Sequence, residues 1–467
     1  MAVRFNSSAS AYMIAEPLFR IGSLEDLEKS PIYTVSFNGK PAVVYHTDSF
    51  DYVVPIVKVD SFVTVEIKVQ HAFHKVIIRP DNAKIQPEIR ERSVSFMVKA
   101  PQKLVLEFDN DLKTPLFILF TREVEKPEKV DYLFEKGKIY NIGTLELKPG
   151  DVVYLEEGSV VCGRIHAYLA NNIRILGNGI LNGCVWHPKE ENGGKILIQT
   201  IMCNDMEMRG ITVVDGGAWQ IMSGACRNVV IENINIMSRV CTGDGIDIAG
   251  CEHVILRDSF IRASDDCVCI KACNCVEEGF TIDPSPCRDV RDILVERCVL
   301  WNAEPGNALE IGYELRCREV CDITFRDIDI VHCQYEGIQS GGVLTIHNAD
   351  RPYVHDIHYE DIRIEDAQEK FIDIKVLDSK YSLDRIRGKV EYIYFKNIKI
   401  VNGAFPVSII RGFEMANEVS HPRNIFFENI NVLGQEIHSP NELRMVVELA
   451  NDLYFGDKVY CVKSDDH

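Results

Sequence analysis

Two strand-like segments that each begin with aspartates lie in one short stretch of the chain, CTGDGIDIAGCEHVILRDSFIRASDDCVCIK at positions 241–271. Asp244 and Asp247 lie in GDGIDIAG, and Asp265 and Asp266 lie in SDDCVCIK, so that Asp265 follows Asp244 by 21 positions. If successive coils of a stacked sheet carry these two strands, their carboxylates lie roughly 5 Å apart, the usual spacing between strands. Like charges at that distance raise one another's pKa, so one group can remain a proton donor while its neighbours ionise. The stretch therefore predicts general acid–base chemistry.

The two strands can be aligned by their apolar positions. Matching Ile246 with Cys267 places Asp244 beside Asp265 in the next coil. The plainer alternative is that these aspartates satisfy backbone donors at turns, as Asp commonly does. The adjacent pair of carboxylates and the matching strand one coil away favour catalysis.

A repeat surrounds this stretch. Its units alternate apolar and polar residues and usually carry Asn or Asp near the middle, which suits a β-strand with one face in a core. The units are NIRILGNGI from Asn172, DMEMRGITV from Asp205, NVVIENINI from Asn228, HVILRDSFI from His253, DILVERCVL from Asp292, DITFRDIDI from Asp322, DIHYEDIRI from Asp356, YIYFKNIKI from Tyr392 and NIFFENINV from Asn424. Their starts are 33, 23, 25, 39, 30, 34, 36 and 32 residues apart, a spacing typical of solenoids.

Second strands lie between the units: GAWQIMSG, DGIDIAG, DDCVCIK, NALEIGY, GGVLTIH, KFIDIKV and FPVSIIR. No helical periodicity of comparable length separates them, so crossover helices are not expected. The pattern predicts an all-β fold, a parallel β-helix of stacked coils. The longest interval follows the DDC strand and predicts a loop, KACNCVEEGFTIDPSPCRD, on the rim of a groove.

The part of the chain before the repeat has a different pattern. From about Pro31 to Arg122, short alternating strands are separated by turn signals such as FNGKP and FDNDLK, which predicts a small antiparallel β-sandwich. We therefore expect a β-sandwich domain at residues 1–125 and a parallel β-helix catalytic domain at residues 126–467.

Composition limits the possible partners and compartment. A net charge of -19 and a pI near 5.2 argue against binding of nucleic acid or anionic lipid, and no stretch is apolar enough to span a bilayer. The N-terminus lacks the apolar core of a signal peptide, which predicts a cytoplasmic protein, or a secreted one if a signal has been removed. All 16 cysteines lie at or after Cys162. We expect buried free thiols, with a bridge between Cys273 and Cys287 as the alternative.

These motifs resemble those of the glycoside hydrolase clan of the polygalacturonases (family 28) and the dextranases and isopullulanases (family 49), over roughly residues 129–432. The motifs are GTLELKPGDVVYLEEGSVV, NIRILGNGILNG, TGDGIDI where polygalacturonases have NTDGxDI, ASDDCVCIK at the DDC signature, and GNALEIG where they have GHGxxIG. The preceding sandwich resembles the family 49 layout. The resemblance implies a right-handed parallel β-helix that hydrolyses O-glycosyl bonds.

The resemblance also implies roles for the aspartates. Asp244 matches the first family aspartate, Asp265 the general acid, and Asp266 the partner that helps Asp244 activate water. By the same analogy the reaction inverts the anomeric centre, with the carboxylates about 6.5 to 9.5 Å apart. No cofactor is expected, and a metal site in the run CVCIKACNC is disfavoured because its spacing is not that of zinc ligands.

The chain departs from the family pattern at two places. Asn307 stands where polygalacturonases have the histidine of GHG, and VLTIH, with Thr345 and His347, stands where they have the basic segment RIK. Lys375 in FIDIKV, one coil later, is an alternative match to that segment. In the family, these basic residues hold the carboxylate of the substrate. Their absence favours a neutral or less acidic glycan, and pectic substrates, including rhamnogalacturonan, remain open.

Several further residues are candidates for substrate binding: Asp247, Lys271, Asn307, Glu310, His347 and Lys375. Alternation points Asp247 and Glu310 outward, where they bind sugar hydroxyls or are simply solvated. Asn307 either contacts the sugar, orients Asp265 or serves a turn. Lys271 contacts substrate, keeps the carboxylates ionised or lies on the surface, and His347 is a subsite residue or a packed or exposed imidazole. Trp301, Tyr313 and Tyr335 stack on sugar rings or pack within the coils.

Three functions fit these observations. The first is an inverting glycoside hydrolase acting on an oligosaccharide or polysaccharide, with exo-action on imported oligosaccharides if the protein is cytoplasmic. The second is a polysaccharide lyase or epimerase, which would need a uronate substrate and a calcium-binding carboxylate cluster. The third is a non-catalytic glycan-binding β-helix, a function that does not account for the grouped aspartates. The sequence leaves the oligomeric state, the sugar and the linkage open.

Overall fold

The protein was analysed as a computed structural model. The structure describes residues 29–47, 50–184, 195–273, 288–334, 341–368, 370–382, 384–415 and 418–461. Across these ranges the chain is built from β-strands with one short 3-10 turn at Asp81–Ala83. No helix in the described ranges has the length and apolarity needed to cross a membrane.

Twelve described strands lie before residue 123 and form sheets of their own. They are β1 Tyr33–Phe37, β2 Lys40–Ala42, β3 Tyr45–His46, β4 Asp51–Val53, β5 Ile56–Val57, β6 Ser61–Val69, β7 Val76–Arg79, β8 Glu88–Arg90, β9 Ser93–Ala100, β10 Lys103–Phe108, β11 Leu116–Leu119 and β12 Thr121–Arg122. Two five-stranded sheets have the orders β2-β1-β6-β9-β8 and β3-β4-β11-β10-β7. Most pairs are antiparallel, as expected. The pairs β4–β11 and β5–β12 are parallel, which corrects a purely antiparallel prediction.

The remaining strands begin at residue 132. They are β13 Tyr132–Phe134, β14 Ile139–Leu147, β15 Val152–Leu155, β16 Val160–Tyr168, β17 Arg174–Gly177, β18 Ile180–Asn182, β19 Ile198–Ile201, β20 Asn204–Arg209, β21 Thr212–Val214, β22 Ile221–Gly224, β23 Arg227–Glu232, β24 Asn235–Met237, β25 Ile246–Ala249, β26 Glu252–Arg257, β27 Phe260–Ala263, β28 Val268–Ala272, β29 Val290–Glu296, β30 Val299–Asn302, β31 Asn307–Leu315, β32 Glu319–Cys333, β33 Gly342–Asn348, β34 Tyr353–Ile364, β35 Lys370–Val376, β36 Lys389–Ile400, β37 Val407–Arg411, β38 Phe413–Met415, β39 Glu418–Ser420, β40 Arg423–Val432, β41 Gln435–Ile437, β42 Met445–Glu448, β43 Leu453–Phe455 and β44 Lys458–Tyr460. All except the hairpin β38–β39 belong to one 30-stranded sheet.

The long sheet is a right-handed parallel β-helix, as predicted. Apart from the antiparallel pairs β40–β41 and β43–β44, its strands pair in parallel with the strand one coil further on, so that β25 pairs with β28 and β28 pairs with β31. Along these stacked strands Ile246 faces Val268, and Val268 faces Leu309, and all three are buried in the core. Alternate residues of the same strands therefore point away from the core, into the space where the candidate site lies.

The sequence repeat marks the bends of the coils. Each of the nine units has a positive φ at its first residue and again at its sixth. The first residues are Asn172, Asp205, Asn228, His253, Asp292, Asp322, Asp356, Tyr392 and Asn424, and the sixth are Gly177, Gly210, Asn233, Asp258, Arg297, Asp327, Asp361, Asn397 and Asn429. Gly, Asn and Asp adopt positive φ at the least cost, which is why they recur at these positions.

The sandwich packs against the side of the β-helix. The ring of Phe117 lies 5.6 Å from that of Phe260 and 5.8 Å from that of Trp301. Arg122 donates to Glu232 and Asp258 on two adjacent coils, at 2.8 and 2.7 Å. The expected domain boundary after residue 125 falls in the connector between β12 and β13. The expected rim loop at residues 274–287, with Cys287, lies outside the described residues.

Candidate active site

Three carboxylates converge where successive coils enter neighbouring strands. Asp244 precedes β25, and Asp265 and Asp266 form the turn before β28. Each of the three offers an oxygen within 4.8 Å of the other two. Asp244 and Asp266 are 3% and 6% exposed, whereas Asp265 is only half-buried. The cluster thus combines a sealed pair of carboxylates with one that remains accessible.

The register of the strands corrects the expected alignment. Ile246 faces Val268 rather than Cys267, and the backbone N–H of Gly245 donates to the carbonyl of Asp266 at 2.8 Å. Asp244 therefore lies one coil below Asp266, and the predicted pairing of Asp244 with Asp265 is wrong. The contact between nearest oxygens is also shorter than the 6.5 to 9.5 Å expected for an inverting pair.

Asp265 has an unusual backbone. Its φ of 127° lies where non-glycine residues are rare, a conformation that costs on the order of 1–3 kcal/mol. The side-chain amide of Asn302 donates to its carbonyl at 2.7 Å. Gly306 packs so closely that a Cβ there would lie 2.3 Å from the carbonyl carbon of Asp265. These contacts hold the turn at Asp265. Because Asp265 lies outside the regular strand, the predicted alignment of the two strands was wrong by one position.

Asn307 fixes the neighbouring carboxylate. Its backbone N–H and its Nδ2 both donate to Oδ1 of Asp266, at 2.9 and 2.7 Å. Of the roles expected for Asn307, orientation of a catalytic carboxylate matches this geometry, but the carboxylate is that of Asp266 and not Asp265. The Oδ1 atom of Asn307 is buried and accepts no hydrogen bond from a described residue.

Lys271 lies beneath the cluster. Its Nζ is 4.0 Å from Oδ2 of Asp244, 4.0 Å from Oδ1 of Asp247 and 3.4 Å from Oε2 of Glu314. It also lies 5.2 Å from the centre of the Trp219 ring. With 6% of its surface exposed, Lys271 is not a surface lysine, and that alternative is wrong. Its geometry is that of a counter-ion for the carboxylates.

Burial is the largest influence on the pKa values of the sealed pair, Asp244 and Asp266. Burial, followed by the charge of Asp247, raises the pKa of Asp244 well above its usual value, and Lys271 opposes this. Burial, followed by the charge of Glu310, raises the pKa of Asp266 to about 6, against the effects of Lys271 and Asn307. Near neutrality the cluster can therefore retain a proton, which belongs to the interacting groups together.

A row of residues whose side chains point away from the core, one on each successive coil, lies beside the cluster. Register places Asp247 opposite Cys269, Cys269 opposite Glu310, Glu310 opposite Thr345 and Thr345 opposite Asp373. All five are fully buried. Asp247 and Glu310 are therefore not solvated strand residues, and Glu310 already accepts the hydroxyl of Thr345.

His347 is a packed, charged imidazole. Its Nδ1 lies 2.9 Å from Oε1 of Glu310, its Nε2 lies 3.4 Å from Oδ2 of Asp373, and its ring stacks on Tyr313 at 4.5 Å. Burial alone would lower the pKa of His347, but the two carboxylates raise it to about 9. Lys375 is paired with Asp373 at 2.8 Å. His347 and Lys375, which the sequence analysis named as candidates for substrate binding, are thus both paired with carboxylates of the protein.

Of the three aromatic candidates for stacking on sugar rings, two pack against other residues and one lies outside the described residues. Trp301 is 1% exposed and donates its indole N–H to Gln334 at 2.9 Å, so it packs within the coil. Tyr313 is half-buried against His347. Tyr335 lies outside the described residues.

Four residues of this site were not identified from the sequence: Asn302, Gly306, Glu314 and Asp373. The glycine of GNALEIG belonged to a recognised motif, and Asp373 alternates in FIDIKV as Glu310 does in NALEIG. Those two signals could have identified Gly306 and Asp373. Asn302 and Glu314 carry no comparable pattern.

Among the described residues, three groups have the geometry to hold a cation. The first is Asp244, Asp265 and Asp266, the second is Asp244, Asp247 and Cys269, and the third is Glu319, Cys321 and His355. In the first group the ammonium of Lys271 already supplies positive charge at 4.0 Å from Asp244. A divalent ion would have to compete with that charge.

A comparison with protein-family models identifies the family of this chain. The family model "Glycosyl hydrolases family 28" matches residues 160–443, which is more than half of the chain. Among curated proteins, polygalacturonase QRT2 of Arabidopsis thaliana is 27% identical over 112 residues, covering 21% of this chain and 26% of that protein. A probable polygalacturonase of Vitis vinifera is 28% identical over 105 residues, covering 20% and 21%. The aligned parts thus span about a quarter or less of these relatives.

Solved structures show similarity over a longer range. The family 28 exopolygalacturonase of Yersinia enterocolitica aligns with a TM-score of 0.48 and 11% identity, over 84% of this chain and 97% of that one. The hyperthermoactive exopolygalacturonase of Thermotoga maritima aligns with a TM-score of 0.49 and 15% identity, over 70% and 84%.

Proposed function

The chain belongs to the glycosyl hydrolases of family 28, and we propose that it hydrolyses an O-glycosidic bond with inversion. Asp265 donates a proton to the leaving oxygen, and Asp244 and Asp266 together activate the attacking water. The observation that supports this proposal most strongly is the convergence of the three carboxylates to within 4.8 Å. Hydrolysis needs one protonated and one ionised carboxylate, and the cluster contains both types of environment.

The sealed pair suits the activation of water. Carboxylate oxygens up to 4.8 Å apart can accept hydrogen bonds from the same water molecule, since each such bond spans about 2.7 Å. Asp244 and Asp266 are too buried for a sugar ring to reach, whereas a water can. The nucleophile is then water rather than a carboxylate, which gives inversion even though the carboxylates are close. The free Oδ1 of Asn307 is a further acceptor for that water.

The half-buried Asp265 suits the donation of a proton. Its position beside two buried carboxylates favours retention of a proton by the cluster near neutrality. Asp265 is the member that solvent and a leaving oxygen can reach. Its carbonyl is anchored by Asn302, and its position is limited by Gly306, so the carboxyl group is held ready before the substrate binds.

We further propose that the sugar at the point of cleavage is neutral. The cations beside the cluster are already matched by carboxylates: Lys271 by Asp244, Asp247 and Glu314, His347 by Glu310 and Asp373, and Lys370 and Lys375 by Asp373. A uronate carboxylate placed here would meet an acidic surface with no uncommitted positive charge among these residues. Repulsion therefore favours a neutral ring.

We also propose exo-action on oligosaccharides in a reducing compartment. Cys203, Cys226 and Cys251 occupy adjacent coils, are buried and are unbridged. The backbone N–H of Cys226 lies 3.3 Å from Sγ of Cys251, so the thiols are neighbours. Free thiols in such numbers suit a cytosol, where substrates arrive as imported oligosaccharides.

The proposal is tested with the variant Asp265→Asn, which keeps the shape of the side chain but cannot donate the proton. A panel of pectic, dextran-like and other oligosaccharides is first screened for a substrate of the wild type, with products identified by mass. We expect roughly a 100- to 10,000-fold loss of kcat in the variant, the usual contribution of a general acid. Asp457→Asn serves as the matched control, because Asp457 is exposed and lies far along the chain in the β43–β44 turn.

The anomer of the released sugar, read by proton NMR in the first minutes, tests inversion. A product with the substrate's own configuration contradicts the water-activating role of Asp244 and Asp266. An unsaturated, ultraviolet-absorbing product that disappears with a chelator instead favours a lyase, in which the aspartates hold a cation. Binding without turnover favours a glycan-binding protein. Full activity in Asp265→Asn rules out Asp265 as the acid.

A further inference from the structure

Three residues that can bind a metal ion lie together on two successive coils, on a different stack of strands from the acidic cluster. Glu319 and Cys321 lie on β32, and His355 lies on β34. Each offers a ligand atom within 4.8 Å of the other two. β32 and β34 continue the stack of β26 and β29, whereas the acidic cluster precedes β25 and β28. We call these three residues the outer triad.

The register of the two strands brings the outer triad together. Cys321 pairs with His355 directly across the parallel ladder, so the two side chains stand next to each other. Glu319 lies two positions before Cys321, a separation that keeps both side chains on one face of the strand. Val320 and Val354 belong to the core, so the triad points away from it. Cys321 is 4% exposed, and Glu319 and His355 are half-buried.

The imidazole of His355 is held as it is in metal sites. Its Nδ1 lies 2.6 Å from Oδ2 of Asp356, and its ring stacks on that of Tyr353 at 4.0 Å. Histidines that bind a metal usually donate their other N–H to a carboxylate, which fixes the ring and leaves the lone pair on the ligating nitrogen. With Nδ1 donating to Asp356, that nitrogen is Nε2.

The distance between two of the ligand atoms is close to that in a zinc site. Nε2 of His355 lies 3.1 Å from Oε1 of Glu319. Two such ligands of one tetrahedral zinc ion, each about 2.0 to 2.1 Å from the metal, lie roughly 3.4 Å apart. An ion can therefore enter between them with a shift of a few tenths of an ångström.

The charges around the triad favour a cation. The other oxygen of Glu319, Oε2, lies 3.0 Å from Nη2 of Arg291, which leaves Oε1 for the triad. Asp322 has its Oδ2 3.5 Å from Sγ of Cys321, and Asp356 contacts His355. The carboxylates of Glu319, Asp322 and Asp356 thus outnumber the guanidinium of Arg291, so the local field attracts a divalent ion.

The types of donor identify the metal. A thiolate, an imidazole and a carboxylate together suit zinc, which binds sulfur, nitrogen and oxygen in a tetrahedron. Magnesium and calcium prefer sites made of oxygen atoms only. Three protein ligands leave the fourth corner of the tetrahedron for a water molecule, which the half-buried position of Glu319 and His355 admits.

We propose that the outer triad is a zinc site, in which Sγ of Cys321, Nε2 of His355 and Oε1 of Glu319 bind one Zn²⁺. The Cys321 thiol releases its proton to solvent as the sulfur–zinc bond forms, and no other covalent bond changes. The ion links β32 to β34 and so stabilises the contact between two successive coils. This inference goes beyond the proposed function and does not depend on it.

The test uses the whole chain, freed of metal with a chelator and then dialysed. Co²⁺ is the probe, because it takes tetrahedral zinc sites and shows an absorption band when a thiolate binds it. We expect one Co²⁺ per chain to produce this band and Zn²⁺ to abolish it by displacement. The decrease of the band during the Zn²⁺ titration gives the affinity for zinc.

Three variants test the ligands and their support. Cys321→Ser should abolish the band, and His355→Gln should weaken zinc binding by about 100-fold or more, since even loss of a supporting partner costs roughly 10- to 100-fold. Asp356→Asn removes the charge that supports His355 but keeps a residue type that tolerates the φ of 52° at this bend. We expect it to weaken zinc binding by about 10-fold.

Two control variants address other binding positions. Asp244 belongs to both of the other groups of described residues that have the geometry to hold a cation, so Asp244→Asn removes a ligand from each. His358→Gln removes another imidazole from β34, three residues from His355, where His358 stacks on Tyr394. Both variants should keep the band and the affinity of the wild type. Circular dichroism verifies that each variant is folded, and zinc should raise the Tm of the wild type but not that of Cys321→Ser.

The outcomes decide between this site and its alternatives. Absence of the thiolate band shows that His355 and Glu319 form an ion pair without a metal, and it overturns the proposal. A band that survives Cys321→Ser, or that is lost in Asp244→Asn, places the ion elsewhere and also overturns it. A band that is lost in Cys321→Ser and kept in Asp244→Asn supports the zinc site, whether or not the protein hydrolyses any glycan of the panel.

Discussion

Replacement of Lys271 by methionine tests the electrostatics of the cluster. Lys271 Nζ lies 4.0 Å from the nearest oxygen of Asp244, and two unit charges at that distance interact by about 4 kcal/mol at an effective dielectric constant near 20. Since one pKa unit corresponds to about 1.4 kcal/mol, loss of the ammonium can raise the pKa of a neighbouring carboxylate by up to about 3 units. Sharing among Asp244, Asp247 and Glu314 reduces the effect on each, so we expect a shift of about 1 to 3 units.

The sign of the effect on activity follows directly. Removal of a positive charge disfavours the ionised carboxylates, so the base that activates water is protonated up to a higher pH. In Lys271→Met the acidic limb of the pH profile of kcat/KM should move to higher pH, from a wild type in which the pKa of Asp266 is about 6. The free energy of unfolding should also fall by about 3 to 5 kcal/mol near neutrality, because buried carboxylates lose their counter-ion.

The assay is the pH dependence of kcat/KM on the best substrate of the panel, with folding verified at each pH. Lys271→Arg keeps the charge and should restore the acidic limb to within about one pH unit of wild type. Lys396→Met removes the same charge from a half-exposed position on β36 and should not move it. An acidic limb that is unchanged in Lys271→Met would refute the role of Lys271 as counter-ion.

Two more predictions concern stability and the catalytic turn. The pKa of His347 is raised from 6.5 to about 9 on folding, so its protonation stabilises the folded state by about 3 kcal/mol below about pH 6.5, and this contribution is lost as the pH rises through about 9. Denaturant unfolding should therefore show that His347→Gln lowers the free energy of unfolding more at about pH 6 than at about pH 10. Equal losses at the two pH values would contradict the raised pKa of His347. Gly306→Ala places a Cβ 2.3 Å from the carbonyl carbon of Asp265 and should lower kcat by roughly 100-fold or more. Gly434→Ala, at φ +85° with nothing within 4 Å, is the control, and equal kcat in the two variants would show that the contact does not matter.

Much of the fold could be predicted because its determinants are local. A bend that needs positive φ selects Asn, Asp or Gly, and this selection recurs at the first and sixth residues of each unit, as at Asn228 and Asn233. The alternation of apolar and polar residues predicted strands with one face in a core, and Ile246 and Ile248 are among the residues buried there. The ordered motifs also identified the aspartates that the structure brings together.

The alignment within the site could not be predicted because one residue departs from the regular strand. With Asp265 at φ 127°, the chain turns out of the ladder, and Asp266 takes the position that spacing gave to Asp265. A count of residues between motifs cannot detect such a turn, because it assumes that every residue advances the strand equally.

The sequence by itself determined the coil repeat, the bends that close each coil and the chemical types gathered at the site. The tertiary structure decided which side chains are sealed from water, since Asp247, Lys271 and Glu310 alternate outward yet are buried. It also decided that Arg262 lies in a cavity bounded by Phe50, the residue before β4 of the sandwich. The physical reason is that alternation specifies the face on which a side chain stands, whereas burial and charge balance depend on what packs across that face from distant parts of the chain.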